Sequence, residues 1–228
     1  MAEIVEDPAL RNRINVFDNR SHAGELLAEW LKEYKGRKEA IVLAIPAGGV
    51  PVALQLSKKL NIPWDLAVTR KLHIPWNREA GFGAISWDGT VILNESLVTS
   101  LGLTKEEIAR CVEEEKTIIR KRLKNFGENK PFPDIKGKVV IIVDDGLASG
   151  FSMLVTVKTI KRKAEEVVVA VPTAPVSAIE LFRPHVDKVV CLNIRSGPFF
   201  AVANAYKVWY DLANEDVIDI LKHYELKS

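Results

Sequence analysis

Apolar residues fall into two rhythms along this chain. Where they recur every three or four positions the spacing predicts helices, and where they form short continuous runs it predicts strands buried on both faces. The helical rhythm runs from Ser21 to Tyr34 through Leu26, Leu27, Trp30 and Leu31, with Ser21 as the N-cap. A second helix is expected from near Pro51, a residue suited to the first helical position, to about Leu60. A third spans Thr104 to Phe126, where Thr104 and Glu107 form a capping-box pattern and Ile108, Val112, Ile119, Leu123 and Phe126 make a narrow apolar stripe. Shorter helices are predicted from Ser152 to about Arg162, near Ser177 to Phe182, and from Glu215 to His223. The strand rhythm covers Ala40 to Ile45, Trp64 to Thr69, Lys138 to Val143, Val167 to Val171 and Lys188 to Leu192. Gly83 to Trp87 and Thr90 to Leu93 read as a hairpin turning at Asp88-Gly89. Arg70 to Glu79 is polar and broken, and reads as a loop.

Strands that alternate with helices predict an α/β fold: a mostly parallel central sheet flanked by helices. We expect a single domain over residues 1–228. Its core would lie at about 38–93 and 137–193, with a helical insertion at about 94–131 and a small hood from about 1–20 and 193–228. At 47% hydrophobic, the 228 residues can fill such a core. The net charge of +2 advertises neither a nucleic-acid nor a membrane partner. Two distant cysteines, Cys111 and Cys191, give no disulfide framework and fit a reducing compartment. No apolar run reaches the ~20 residues that span a bilayer, and the acidic N-terminus has no signal-like segment. The expectation is a cytoplasmic protein with small-molecule partners.

The most informative segment is Val139 to Ser152. A buried strand ends in Asp144-Asp145; the small-residue loop Gly146-Leu147-Ala148-Ser149-Gly150 follows; Phe151-Ser152 open a helix. In open α/β sheets ligands bind beyond the carboxyl ends of the strands. Loop amides and a helix N-terminus there suit a phosphate. Gly146 and Gly150 permit close backbone approach, and the Ser149 and Ser152 hydroxyls can donate to the same group. Paired carboxylates suit the vicinal hydroxyls of a sugar, one sugar length from its phosphate, as in ribose 5-phosphate. On the two acids alone, a plain Asp-Gly turn with a capping Ser is the commoner reading.

Taken whole, the string resembles the phosphoribosyl pyrophosphate signature of the type I phosphoribosyltransferases: an apolar strand, two acids, and a small-residue loop closing on Ser-Gly-x-Ser. The resemblance covers roughly residues 38–93 and 137–193. It implies that Asp144 and Asp145 hold the ribose hydroxyls, and that Ala148, Ser149, Gly150, Phe151 and Ser152 wrap the 5-phosphate. Ile45 to Pro51 stands where that family places a pyrophosphate loop, often with a non-proline cis peptide. The family's frequent basic residue is replaced by Ala47, which leaves Ala47, Gly48 and Gly49 to bind through the backbone; a tight strand–helix turn is the other reading of this segment. Arg70-Lys71 resembles the pair that opens the flexible loop of the adenine and orotate enzymes, with His73, Arg78 and Glu79 as further contributors. Such cations would stabilise departing pyrophosphate. Ala148 stands where 6-oxopurine enzymes carry an Asp, which argues against that substrate and is compatible with adenine or uracil. The hood would draw on Arg195 to Phe200 and on Val208-Trp209-Tyr210, any of whose rings could stack on a base.

The resemblance further implies transfer of ribose 5-phosphate from phosphoribosyl pyrophosphate to a nitrogenous base in nucleotide salvage, with Arg70, Lys71, Asp144 and Asp145 as the catalytic set. Magnesium would bridge pyrophosphate and ribose hydroxyls, with no direct protein ligand, reached by Asp144 and Asp145 through water or those hydroxyls. A homodimer is expected, supported by the 104–126 helix unless that helix simply covers the sheet. The alternative is a non-catalytic regulator of the same fold that binds nucleotide or phosphoribosyl pyrophosphate. His22, His73, His185 and His223 lack metal-ligand spacing, and no nucleophile triad is evident.

Overall fold

The computed structural model describes residues 2–127, 131–197 and 199–225. A six-stranded sheet organises the molecule. Its strands are β1 (Glu3–Val5), β2 (Ala40–Ala44), β3 (Trp64–Leu66), β7 (Val139–Val143), β8 (Glu166–Pro175) and β9 (Lys188–Arg195). They lie in the order β1-β9-β8-β7-β2-β3, and every pairing is parallel. A separate three-stranded antiparallel sheet holds β4 (Thr69–Ile74), β5 (Asn77–Ser86) and β6 (Val91–Leu93). The expected parallel α/β architecture is therefore present.

Strand β7 shows why the sheet sits at the centre. Val139, Ile141 and Val143 join the apolar core on one face, while Val140 and Ile142 join the core on the other. Helices α1 (Arg20–Trp30) and α2 (Gly49–Leu60) cover the first face. Helices α5 (Phe151–Ile160) and α6 (Val176–Phe182) cover the second. The chain therefore leaves β2 and β7, which are neighbours, toward opposite faces. Ala44 pairs with Val143, so both strands end level. A crevice must open where the two connections diverge, the position at which α/β sheets bind ligands.

Several local expectations are corrected. Asn19, not Ser21, caps α1: its side chain accepts from the His22 N–H at 3.0 Å. That helix ends at Trp30, and a 3-10 turn carries Lys32 to Tyr34. Pro51 is the third residue of α2, which starts at Gly49. Arg70 to Glu79 is not a loop but the greater part of the β4–β5 hairpin. Buried Thr69, Leu72 and Ile74 anchor β4; on β5, Gly81 leaves room for Lys71 of β4 and Gly83 for Ile92 and Leu93 of β6. The 94–131 region holds an unforeseen α3 (Glu95–Leu101) before α4 (Lys105–Asn125). The capping box of α4 is as expected, and Ile119 is buried with Ile108, Val112 and Phe126 packed partly against the core; Cys111 and Glu115 are also buried, while Leu123 is exposed. Strand β1 adds an unforeseen edge to the sheet, and α7 (Asn214–Glu225) ends the described chain. Among the described residues no helix is long and apolar enough to cross a membrane.

Candidate active site

The crevice is a cleft of about 390 Å³. From the ends of β2 and β7 it takes Ile45 to Gly48 and Asp144-Asp145; from β4, Thr69, Arg70 and Lys71; from the first turn of α5, Ser152. Packing holds the two connections together. A β-carbon on Gly48 would lie 2.0 Å from Asp145 Oδ2, and one on Gly49 would lie 2.7 Å from the Val143 carbonyl oxygen. Only glycine lets the 46–49 segment lie against the acids. The peptide between Pro46 and Ala47 is cis.

The two acids differ. Asp145 is buried, and its Oδ2 accepts from Arg20 Nε at 2.7 Å. Its backbone carbonyl accepts the Tyr206 hydroxyl at 2.5 Å. Asp144 Oδ1 accepts the Asp145 N–H at 2.8 Å. Burial first, and then the neighbouring Asp145 charge, push the Asp144 carboxyl well above the usual carboxylate range. Burial also raises Asp145, against which the Arg20 guanidinium pulls. Lowered solvation of adjacent carboxylates in a cleft is a common mark of a functional site.

The cationic wall is ordered by a residue that sequence reasoning missed. Arg70 Nε donates to Glu115 Oε2 at 2.8 Å, and His73 Nε2 lies 3.8 Å from the other oxygen of that buried carboxylate. Lys71 Nζ donates to the Glu79 carbonyl at 3.3 Å. Arg122, also from α4, lines the cleft beside them.

Not every expected site residue reaches the cleft. Ala47, Gly48, Arg70, Lys71, Asp144, Asp145 and Ser152 line it. Gly49 packs on β7; Gly146 packs against Thr173 and Val202; the Leu147 side chain belongs to the core. Gly150 takes φ +80° as the N-cap of α5, Phe151 is half-buried behind it, and Ala148 and Ser149 are exposed. Arg78 and Glu79 are exposed on the hairpin, and neither they nor His73 line the cleft.

Of the aromatic candidates, Trp209 alone lines the cleft. Its ring already carries the Arg20 guanidinium at 3.9 Å from the centroid. Phe199 is 91% exposed, Phe200 and Tyr210 lie outside the lining, and Pro198 falls outside the described residues. Arg20 also donates to the Tyr210 carbonyl at 2.9 Å. It opens α1 next to Asn19, and nothing in its sequence neighbourhood marks it, because its partners lie 125 and 190 residues away. Arg122 and Glu115 were hidden among the many charges of α4. Their one signal was the seven-residue spacing that puts them on one helical face.

Comparison with known proteins identifies the family. The model of the phosphoribosyl transferase domain matches residues 15–207. The chain belongs to that family. Two Mycobacterium tuberculosis proteins, from strains CDC 1551 and H37Rv, each provisionally named a phosphoribosyl transferase, are each 33% identical to this chain over 209 residues. The match takes in 91% of this chain but 47% of theirs, so the chain spans about half the length of these curated relatives. The crystal structure of TT1426 from Thermus thermophilus superposes with a TM-score of 0.73 at 32% identity, covering 91% of this chain and 98% of that one. The phosphoribosyl transferase domain match takes in both connections of the crevice, Arg70-Lys71, and the segment that carries Tyr206.

Proposed function

We propose that the cleft binds phosphoribosyl pyrophosphate and transfers its ribose 5-phosphate to a nitrogenous base, releasing pyrophosphate, as a step of nucleotide salvage. One observation carries this reading. Asp144 and Asp145 meet the 46–49 connection in the crevice where β2 and β7 part, and Arg70 and Lys71 line the same cleft. The acids would accept the ribose 2- and 3-hydroxyls, leaving the sugar's phosphate to the amides of 148–152. As the bond from the anomeric carbon to the pyrophosphate oxygen breaks, positive charge grows on the sugar beside the carboxylates. Negative charge grows on the leaving group beside Arg70 and Lys71. A base nitrogen then forms the new bond and its proton passes to solvent. Positioning and charge stabilisation account for the rate, and no protein nucleophile is required. Ala148 leaves no acid to handle a purine N7 proton, which favours an adenine- or uracil-like acceptor.

Magnesium suits this donor set. The ion favours one or two carboxylates together with phosphate and water oxygens. Among the described residues no three His, Cys, Asp or Glu side chains gather into a cage, while Asp144 and Asp145 stand together at the cleft. When bound, it would neutralise part of the pyrophosphate charge.

A second reading, a phosphoribosyl pyrophosphate- or nucleotide-responsive regulator without turnover, draws support from the internal pairing of Asp145 with Arg20 and of Arg70 with Glu115. Isothermal titration with magnesium and phosphoribosyl pyrophosphate should show binding, lost in the double variant Asp144→Asn/Asp145→Asn. No binding by the wild type overturns the transferase reading, and a parallel titration with nucleotides that also shows none overturns the regulator. A panel of bases with pyrophosphate detection separates them, since binding without turnover on any base favours the regulator.

A further inference from the structure

We infer that Arg122, on helix α4, is a ligand for the pyrophosphate end of the substrate, and that Glu115 on the same helix aligns Arg70 beside it. This rests on the phosphoribosyl pyrophosphate reading of the cleft. Positions seven apart on a helix fall on one face, about 10.5 Å apart along the axis. Glu115 and Arg122 therefore look the same way, toward β4 and the cleft. Glu115 is spent on Arg70 Nε. Arg122 lines the cleft with Ala47, Gly48, Arg70 and Lys71, yet its buried Nε has no hydrogen-bond partner, and among the described residues it forms no ion pair within 4 Å. Burial and the neighbouring Arg70 charge disfavour its protonated form, against a smaller opposing pull from Glu115.

An arginine whose Nε is buried and unpartnered near a second arginine is unfavourable unless an anion completes the arrangement. Along this wall stand Arg70, Lys71 and Arg122, and among the described residues Glu115 is the one acid within ion-pair distance of any of them, at Arg70. The uncompensated charge faces the 46–48 backbone. A dense, multiply charged anion with several acceptor oxygens fits that surplus, and guanidinium forks match phosphate oxygens well. The insertion helix thereby becomes part of the site rather than an ornament on the fold.

The test is calorimetric titration of the full chain with magnesium pyrophosphate, phosphoribosyl pyrophosphate and ribose 5-phosphate. Arg122→Gln and Arg122→Met keep most of the side-chain volume. Both should weaken pyrophosphate and phosphoribosyl pyrophosphate about 10- to 100-fold, the loss of one charge-assisted contact, and leave ribose 5-phosphate within about twofold. Arg122→Lys, which keeps the charge and stem needed for folding, should show a smaller loss confined to the two pyrophosphate-bearing ligands. Unchanged pyrophosphate affinity in these variants, or equal weakening of ribose 5-phosphate, overturns the role of Arg122 alone. A wild type that binds none of the three ligands overturns the underlying reading instead.

Discussion

Gly48 and Asp144 show how individual residues trade stability against the site. Adding one methyl group at Gly48 drives it into the Asp145 carboxylate. We predict that Gly48→Ala folds with a loss of about 1–3 kcal/mol, the usual cost of overpacking, and binds phosphoribosyl pyrophosphate far more weakly, as titration calorimetry would read. Asp144 acts in the opposite sense. Its native carboxyl titrates above the ordinary value of 3.8 because burial and Asp145 disfavour the charge. Between that ordinary value and the raised native one, the folded state holds a proton that the unfolded chain has released. Stability from this group is therefore full at low pH and falls as pH rises through the native pKa. Asp144→Asn keeps the acceptor for the Asp145 N–H and removes the charge. It should be more stable than wild type at pH 7, by about 0.5–2 kcal/mol as is common when active-site strain is relieved, with the gain vanishing toward pH 4. Melting curves across pH would show this, and a variant less stable than wild type at pH 7 would contradict it.

Among the elements, helix α4 and the β4–β5 hairpin depend on each other. The helix is anchored by Thr104, whose hydroxyl accepts the Glu107 N–H at 3.2 Å while Glu107 accepts the Thr104 N–H at 2.9 Å. Cys111, Glu115 and Ile119 are its buried residues, with Ile108 and Val112 packed partly against the core, so its docking combines a narrow apolar face with the Glu115–Arg70 pair. Thr104→Ala should cost about 0.5–2 kcal/mol in chemical denaturation. Because the cap lies about three turns before Glu115, ligand affinity should stay unchanged. A large fall in affinity would mean that the end of the helix, and not only its cleft-facing residues, shapes the site. The hairpin reads as a loop in the sequence because Arg70, Lys71, Arg78 and Glu79 dominate it. Its strand character depends on Leu72 and Ile74 burying against neighbours distant in the chain.

At the scale of the whole molecule, the two ends of the chain are drawn together over the cleft. Asn15 N–H donates to the Asn204 carbonyl at 2.8 Å, Phe17 N–H to Ala205 at 2.9 Å, and Lys207 N–H to Phe17 at 2.8 Å. Arg20 fastens this layer to the sheet by pairing with Asp145, by donating to the Tyr210 carbonyl and by lying on the Trp209 ring. Removing one partner of a buried pair strands the other charge. Arg20→Ala should therefore lose about 3–5 kcal/mol, with faster amide exchange across residues 13–19 and 202–210. A loss under about 1 kcal/mol with unchanged exchange would show that the layer is held by its backbone bonds alone.

What the sequence determined was whatever depends on neighbours along the chain. Continuous apolar runs marked the central strands, the capping box placed the start of α4, and the order of acids, small residues and helix start over 144–152 announced the crevice-facing connection. Those signals survive because strand burial, helix capping and tight turns are decided within a few residues. The tertiary structure alone decided which charges meet. Asp145 with Arg20, Arg70 with Glu115, and Trp209 over Arg20 are partners far apart in the chain. It also decided which loop residues face inward: Leu147 is core while Ala148, its neighbour, is exposed. An isolated charge in a sequence carries no record of its partner, because the pairing is selected by burial after distant elements have packed.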